Sequence, residues 1–292
     1  MMDKPWQELY AWLFSAREPS GKAFWLGCTL LLAGIYGALG LRQAFAGDYI
    51  VQDDARQHVF WMLRYLDPTL FPKDAIADYF QTVAPAGYRG LYRLAAAIGF
   101  NPLVFNQLLP PLLLLLTAGY VFALCLEILP LPVAGFMAAT LFNQSLCLED
   151  DLMSATPRAF VYPLLAAFLY YLARRSWLTW AVILLGGLFY PQAVLLFTGI
   201  LAVSLLEWRQ GRLRLLSKSK DYRFFLVGLA VAILVLLPFA LSVSAYDPTI
   251  TAAQARELPE FGVGAGGPVF LVITAGIFGC LAVAVVFFRA CC

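Results

Sequence analysis

Charged residues are scarce in this chain. Asp, Glu, Lys and Arg make up 13% of its 292 residues, against 62% hydrophobic, too little polar surface to cover a water-soluble globule of this size. Histidine occurs once, as His58, and the six cysteines (Cys28, Cys125, Cys147, Cys280, Cys291 and Cys292) lack the paired spacing of a zinc site or a disulfide framework. There is no phosphate-cradling P-loop, dinucleotide glycine fingerprint, HExxH or nucleophile elbow, so ATP hydrolysis, nicotinamide chemistry and zinc proteolysis are not expected. Alternating strands of about ten residues are also missing, which excludes a membrane β-barrel.

What the chain has in quantity is long apolar runs: 23–41, 103–128, 133–148, 159–173, 177–189, 193–206, 224–243 and 269–288. A helix rising about 1.5 Å per residue needs about 20 apolar residues to cross hydrocarbon. The expectation is therefore an all-α, polytopic transmembrane bundle of about eight membrane segments, one transmembrane domain over 1–292. The first run starts late and lacks a small-x-small cleavage site, so it reads as a retained span rather than a signal peptide.

Basic residues set the orientation. Arg174-Arg175 and the 207–223 segment, with Arg209, Arg212, Arg214, Lys218, Lys220 and Arg223, belong on the cytoplasmic side with the N-terminus of an inner (plasma) membrane protein. The 207–223 loop has few aromatics between its charges; orientation and anionic headgroups account for it, and nucleic-acid binding is not expected. Two basic segments on one side require the stretch between them to cross twice or dip and return, with a turn at Tyr190-Pro191-Gln192. Pro110-Pro111 predicts a kink or break early in the second span. Cys291-Cys292 after Arg289 suits reversible palmitoylation and equally a bare chain end.

The segment 47–101 is an outer loop with surface helices. Ala55, Val59, Met62, Leu63 and Leu66 recur at helical spacing, with Asp54, Gln57, His58, Trp61 and Arg64 on the other side, which predicts an amphipathic helix over 54–66. Further short helices are predicted near 74–80 and 88–98, the last presenting Arg89 and Arg93 four apart.

The residues best suited to chemistry lie on this outer face. Asp53-Asp54 opens the surface helix, where an ionised carboxylate serves as general base or as a ligand for Mg²⁺ or Mn²⁺; Asp53 fits a plain N-cap equally well. His58, four residues after Asp54, shares its helical face. Glu149-Asp150-Asp151 forms the next outward loop and could complete a metal site from Asp54, Glu149 and Asp150. Arg158, following Thr156-Pro157, is suited to hold a phosphate. Tyr190 and Gln192 reach the same side as candidate cavity-lining residues.

A cytoplasmic N-terminus, one span, then a long outer loop opening with acidic residues resembles the C-type glycosyltransferase superfamily. The stretch Gln52-Asp53-Asp54-Ala55-Arg56-Gln57-His58 and the stretch Thr156-Pro157-Arg158-Ala159-Phe160 look like segments of uncharacterised bacterial membrane proteins of that kind. The resemblance implies transfer of a sugar from a polyprenyl-phosphate carrier in the membrane lipid, with Asp53 or Asp54 as catalytic base and acidic residues of the second outer loop binding metal or acceptor. Many such enzymes have more spans and a soluble outer domain. A transporter with broken helices around Gly186-Gly187 and Pro191 is the main rival, and a non-enzymatic scaffold subunit a third reading.

Overall fold

In the computed structural model, residues 19–47, 53–148, 150–209, 212–215 and 220–243 are described. They divide into two compact units between Ala193 and Val194.

The first unit holds α1 (Pro19–Ala44), α2 (Asp53–His58), a 3₁₀ turn (Phe60–Tyr65), α3 (Ala75–Val83), α4 (Ala86–Ala97), α5 (Pro102–Ile128), α6 (Pro132–Leu148), α7 (Asp150–Met153), a second 3₁₀ turn (Pro157–Phe160), α8 (Val161–Ala173) and α9 (Leu178–Phe189). Two stretches, Ser20–Ala44 and Pro102–Ile128, are helices long and apolar enough to cross a membrane. The others are shorter: α6 has 17 residues and α9 has 12, about 26 and 18 Å at helical rise. Eight full spans are thus more than these lengths establish.

α5 is the central element, packing against α1, α6 and α8, while α1 also meets α6 and α8 meets α9. Successive bundle helices alternate in direction. Trp25 meets Phe136 with ring centroids 5.1 Å apart, and Arg174 pairs with Glu127 at 3.7 Å, so the two pairs mark one end of the bundle. At the other, Gln107 Nε2 donates to the Ala44 carbonyl at 3.1 Å, supplying a partner to an acceptor left over where α1 finishes.

Of the kink or break expected at Pro110-Pro111, the break does not occur: α5 runs through both prolines as one helix. Proline removes a donor and crowds the preceding turn, but tight packing by a neighbouring helix can support the continuous form. Here that neighbour is α1, where a Cβ on Gly37 would lie 2.9 Å from Pro111 Cβ.

The cap over 53–101 is helical as expected, with one change. The single helix predicted for 54–66 is two pieces, α2 and a 3₁₀ turn. Tightening from 3.6 to about 3.0 residues per turn rotates the downstream faces. Ala55, Val59 and Met62 are buried as expected, but Trp61, assigned to the polar side, is fully buried, and Leu66, assigned to the apolar side, is exposed. The predicted helix at 74–80 is α3, capped by Asp74 Oδ1 accepting from Ile76 N at 2.9 Å and Ala77 N at 3.1 Å. The helix predicted at 88–98 is α4, ended by Gly99 at φ +91° with Phe100 N donating to Ala95 O at 3.0 Å.

Exposed large apolar side chains form stripes at helical spacing: Leu31, Ile35 and Leu39 on α1, and Val104, Leu108, Leu112 and Leu116 on α5.

α10 (Pro191–Ser204) runs across the division. The second unit continues with β1 (Leu206–Arg209), β2 (Arg212–Leu215) and α11 (Lys220–Val243), which contains Pro238. The strands are antiparallel, with Leu206 opposite Leu215 and Trp208 opposite Leu213. The described chain is otherwise helical, as expected; this hairpin within the basic 207–223 segment is a local exception. Its sequence alternates apolar and charged residues with the period of two that suits a strand. The apolar run 269–288 lies outside the described residues, as do Cys280, Cys291 and Cys292.

Candidate functional site

The bundle end where α1 finishes and α5 begins carries a buried polar knot. Asn106 Nδ2 donates to Tyr92 Oη at 2.9 Å and to the Ser154 carbonyl at 3.0 Å. Tyr88 Oη donates to Tyr92 Oη at 3.3 Å and to the Ala155 carbonyl at 3.1 Å. Ser154 and Thr156 share a hydroxyl contact at 3.1 Å. All of these groups are buried, where a polar atom without a partner is costly, so the knot holds the Ser154-Ala155-Thr156 turn in place. Desolvation raises the Tyr92 phenol to about 12 and Tyr88 well above its ordinary value; both stay protonated at neutral pH.

The turn is strained as well as anchored. Ala155 sits at φ +48°, a left-handed conformation that costs a residue with a Cβ about 1–2 kcal/mol. Immediately after it, Pro157–Phe160 forms a 3₁₀ turn that presents Arg158 exposed while Pro157, Ala159 and Phe160 are buried.

Three other candidate segments gather around the same core. Ala55 of α2 and Val59 just after it belong to the same apolar cluster as Leu152, Ala155, Ala159 and Phe160, so the element bearing Asp53, Asp54 and His58 and the element bearing Arg158 are seated on one common core. Phe160 stacks on Phe189 with centroids 4.6 Å apart, which brings the end of α9, and with it Tyr190, to this turn. The start of α4 approaches the same place: a Cβ on Gly87 would lie 2.8 Å from Leu188 Cβ. Gln192, in the first turn of α10, is exposed.

Asp54 is exposed and its charge acts on His58. His58 is half-buried, its ring edge-on to Phe80 at 5.1 Å. Burial pushes its pKa below 6.5, with Asp54 opposing, which favours a neutral imidazole at neutral pH. Asp53 opens α2 and Asp150 opens α7, but their side chains, and Glu149 entirely, lie outside the described residues. Among the described residues no three acidic, histidine or cysteine groups come together. The carboxylate oxygens of Asp54, Glu149 and Asp150 are the donor type that Mg²⁺ and Mn²⁺ prefer.

Sequence reasoning missed the residues that hold the site. Tyr88 and Tyr92, four apart on α4, and Asn106, an amide in a leucine-rich run, are its framework. It also assigned Arg64 to the outer face of a surface helix. Instead Arg64 donates to Asp78 Oδ1 at 2.7 Å, Gln81 Oε1 at 2.8 Å and the carbonyls of Phe71 at 2.6 Å and Leu70 at 3.3 Å, tying the 66–73 loop to α3. No family model, curated protein or solved structure matches the chain.

Proposed function

We propose that the protein is a polytopic membrane glycosyltransferase that moves a sugar from a polyprenyl-phosphate carrier at the non-cytoplasmic face of an inner (plasma) membrane, with its N-terminus in the cytoplasm. The observation that carries this reading is the anchored, strained Ser154-Ala155-Thr156 turn, which presents Arg158 on the same core that seats the α2 element bearing the paired carboxylates. Strain of this kind persists where the surroundings over-determine it, and functional sites are where it collects. The exposed apolar stripes of α1 and α5 suit a hydrocarbon solvent, and the lengths of the remaining apolar helices, α9 and α10 in particular, suit a re-entrant pair.

In the reaction, the acceptor hydroxyl gives its proton to the carboxylate of Asp53 or Asp54 as its oxygen bonds to the anomeric carbon. The bond from that carbon to the phosphate oxygen breaks, with inversion, and the electron pair leaves with the lipid phosphate. Arg158 stabilises the phosphate charge as it develops. Neutral His58 can accept a hydrogen bond from a sugar hydroxyl, and Tyr190 and Gln192 can line the acceptor side. A divalent cation bound by Asp54, Glu149 and Asp150 would supply further charge neutralisation.

The test is transfer from, and binding of, a polyprenyl-phosphate sugar by the purified protein with and without Mg²⁺. Asp54→Asn is expected to abolish transfer with folding intact, and Arg158→Ala to weaken binding. Full transfer by an Asp53→Asn/Asp54→Asn variant would sink the reading. One observation favours a solute transporter instead: Thr140 Oγ1 and Asn143 Oδ1, three residues apart on α6, are buried without a hydrogen-bond partner among the described residues. Counterflow of a small polar solute abolished by Asn143→Leu, with no transfer activity in the wild type, would decide for it.

A further inference from the structure

α4 is unusual in being apolar on two opposite faces. Tyr88 and Tyr92 face the core, while across the helix Leu94 and Ile98 are 64% and 69% exposed. An exposed apolar face on a cap standing in water is unfavourable in proportion to the area left wet. Exposed apolar residues also follow α4 in the chain: Phe100, and then Val104, Leu108, Leu112 and Leu116 along α5, a helix long enough to span a bilayer.

Between the two apolar faces lie Arg89 and Arg93. Arg64, nearby, is neutralised by Asp78 at 2.7 Å, but among the described residues no carboxylate lies within ion-pair distance of Arg89 or Arg93. Arg89 is oriented by one bond, from Nη1 to the Gln81 carbonyl at 3.3 Å, and Gln81 is itself held through its side chain by Arg64. Both guanidinium groups act on the phenol of Tyr65, whose ring packs edge-on against the buried Trp61 at 5.7 Å. Two cations four residues apart, with no ion-pair partner among the described residues, thus stand on the helix that leads in the chain to the exposed stripe of α5. Guanidinium groups recognise phosphate through several hydrogen bonds at once, and an interfacial helix places its basic residues beside headgroups while its apolar face meets acyl chains.

We propose that Arg89 and Arg93 form a binding site for the phosphate of an anionic membrane lipid, whose acyl chains lie along Leu94, Ile98 and the exposed stripe of α5. The site rests on the membrane placement of the proposed function and is independent of sugar transfer. It fastens the cap to the bilayer, and so holds α2 and the Arg158 turn at a constant depth.

Carbonate extraction of membranes tests the placement by itself; release of the full chain would overturn both readings. On the detergent-purified protein, thermal unfolding is then followed while dioctanoyl phosphatidylglycerol, dioctanoyl phosphatidylcholine or inorganic phosphate is titrated. The expected result is saturable stabilisation by phosphatidylglycerol, weaker by phosphatidylcholine and absent with phosphate. Arg89→Gln/Arg93→Gln should weaken the apparent affinity by about tenfold or more, the loss of charge-assisted hydrogen bonds, while Arg89→Lys/Arg93→Lys, which keeps the charge, retains part of it. Equal stabilisation by inorganic phosphate would show a free-phosphate site and overturn the lipid assignment. An unchanged titration in the glutamine variant would overturn the site itself.

Discussion

Asn106 donates both of its described hydrogen bonds from one amide nitrogen, to the Tyr92 hydroxyl and to the Ser154 carbonyl. Asn106→Leu keeps the size and removes the donors, leaving the Ser154 carbonyl and a buried phenol oxygen short of partners. A loss of about 1–3 kcal/mol is expected, the cost of one buried polar group left unsatisfied, read as a lower thermal unfolding temperature in detergent. Transfer activity should fall further than stability, because the strained turn at Ala155 is what presents Arg158. An unchanged unfolding temperature would show that the knot does not anchor the turn. Asn106 was visible in the sequence as an amide among leucines, yet its partners could not be read there. Tyr88 and Tyr92 lie 18 and 14 residues upstream and Ser154 lies 48 residues downstream, and nothing in local spacing links them.

At the scale of elements, α1 and α5 are fitted to each other through Gly37 and Pro111. A new Cβ at residue 37 would stand 2.9 Å from Pro111 Cβ and 3.1 Å from its Cα, a rigid ring and backbone that cannot yield. The same change at Gly40 would meet the terminal methyl of Met153, the end of a flexible side chain that can swing aside. Gly37→Ala is therefore expected to destabilise by about 1–3 kcal/mol, as overpacking does, while Gly40→Ala stays nearly neutral. Unfolding of both variants in detergent checks this, and equal losses would mean that the close approach at Gly37 is unimportant. Small residues that let helix backbones meet are the usual device where lipid offers no hydrophobic drive. The same physics accounts for the continuity of α5: its two prolines signal a break when the helix is considered alone, but α1 packs directly on them. Likewise the phase change between α2 and the 3₁₀ turn puts Trp61 inside, because its ring, in contact with Tyr65, completes a core to which α4, α5 and the 152–162 segment also contribute.

For the molecule as a whole, the alternation of α1, α5, α6, α8 and α9 places the 66–73 loop and Arg174 at opposite ends of the bundle. With native cysteines replaced by serine, Asp67→Cys should react with a membrane-impermeant maleimide in intact cells, and Arg174→Cys only after permeabilisation. Labelling of both from one side would sink the topology. The sequence by itself determined the apolar character of the chain, the position of most of its helices, and the cap of short helices after α1, because these follow from composition, period and capping within a few residues of chain. Its apolar runs also located the segments that became α6, α8, α9 and α10, but not that several are too short for a simple span. Tertiary structure alone decided that a proline pair sits within a continuous helix, that Arg64 clamps a loop instead of facing solvent, and that a turn near Ala155 is held in a left-handed conformation by three side chains from two other helices. These features depend on which buried donors and acceptors meet, and burial makes such meetings compulsory between residues that sequence spacing leaves unrelated.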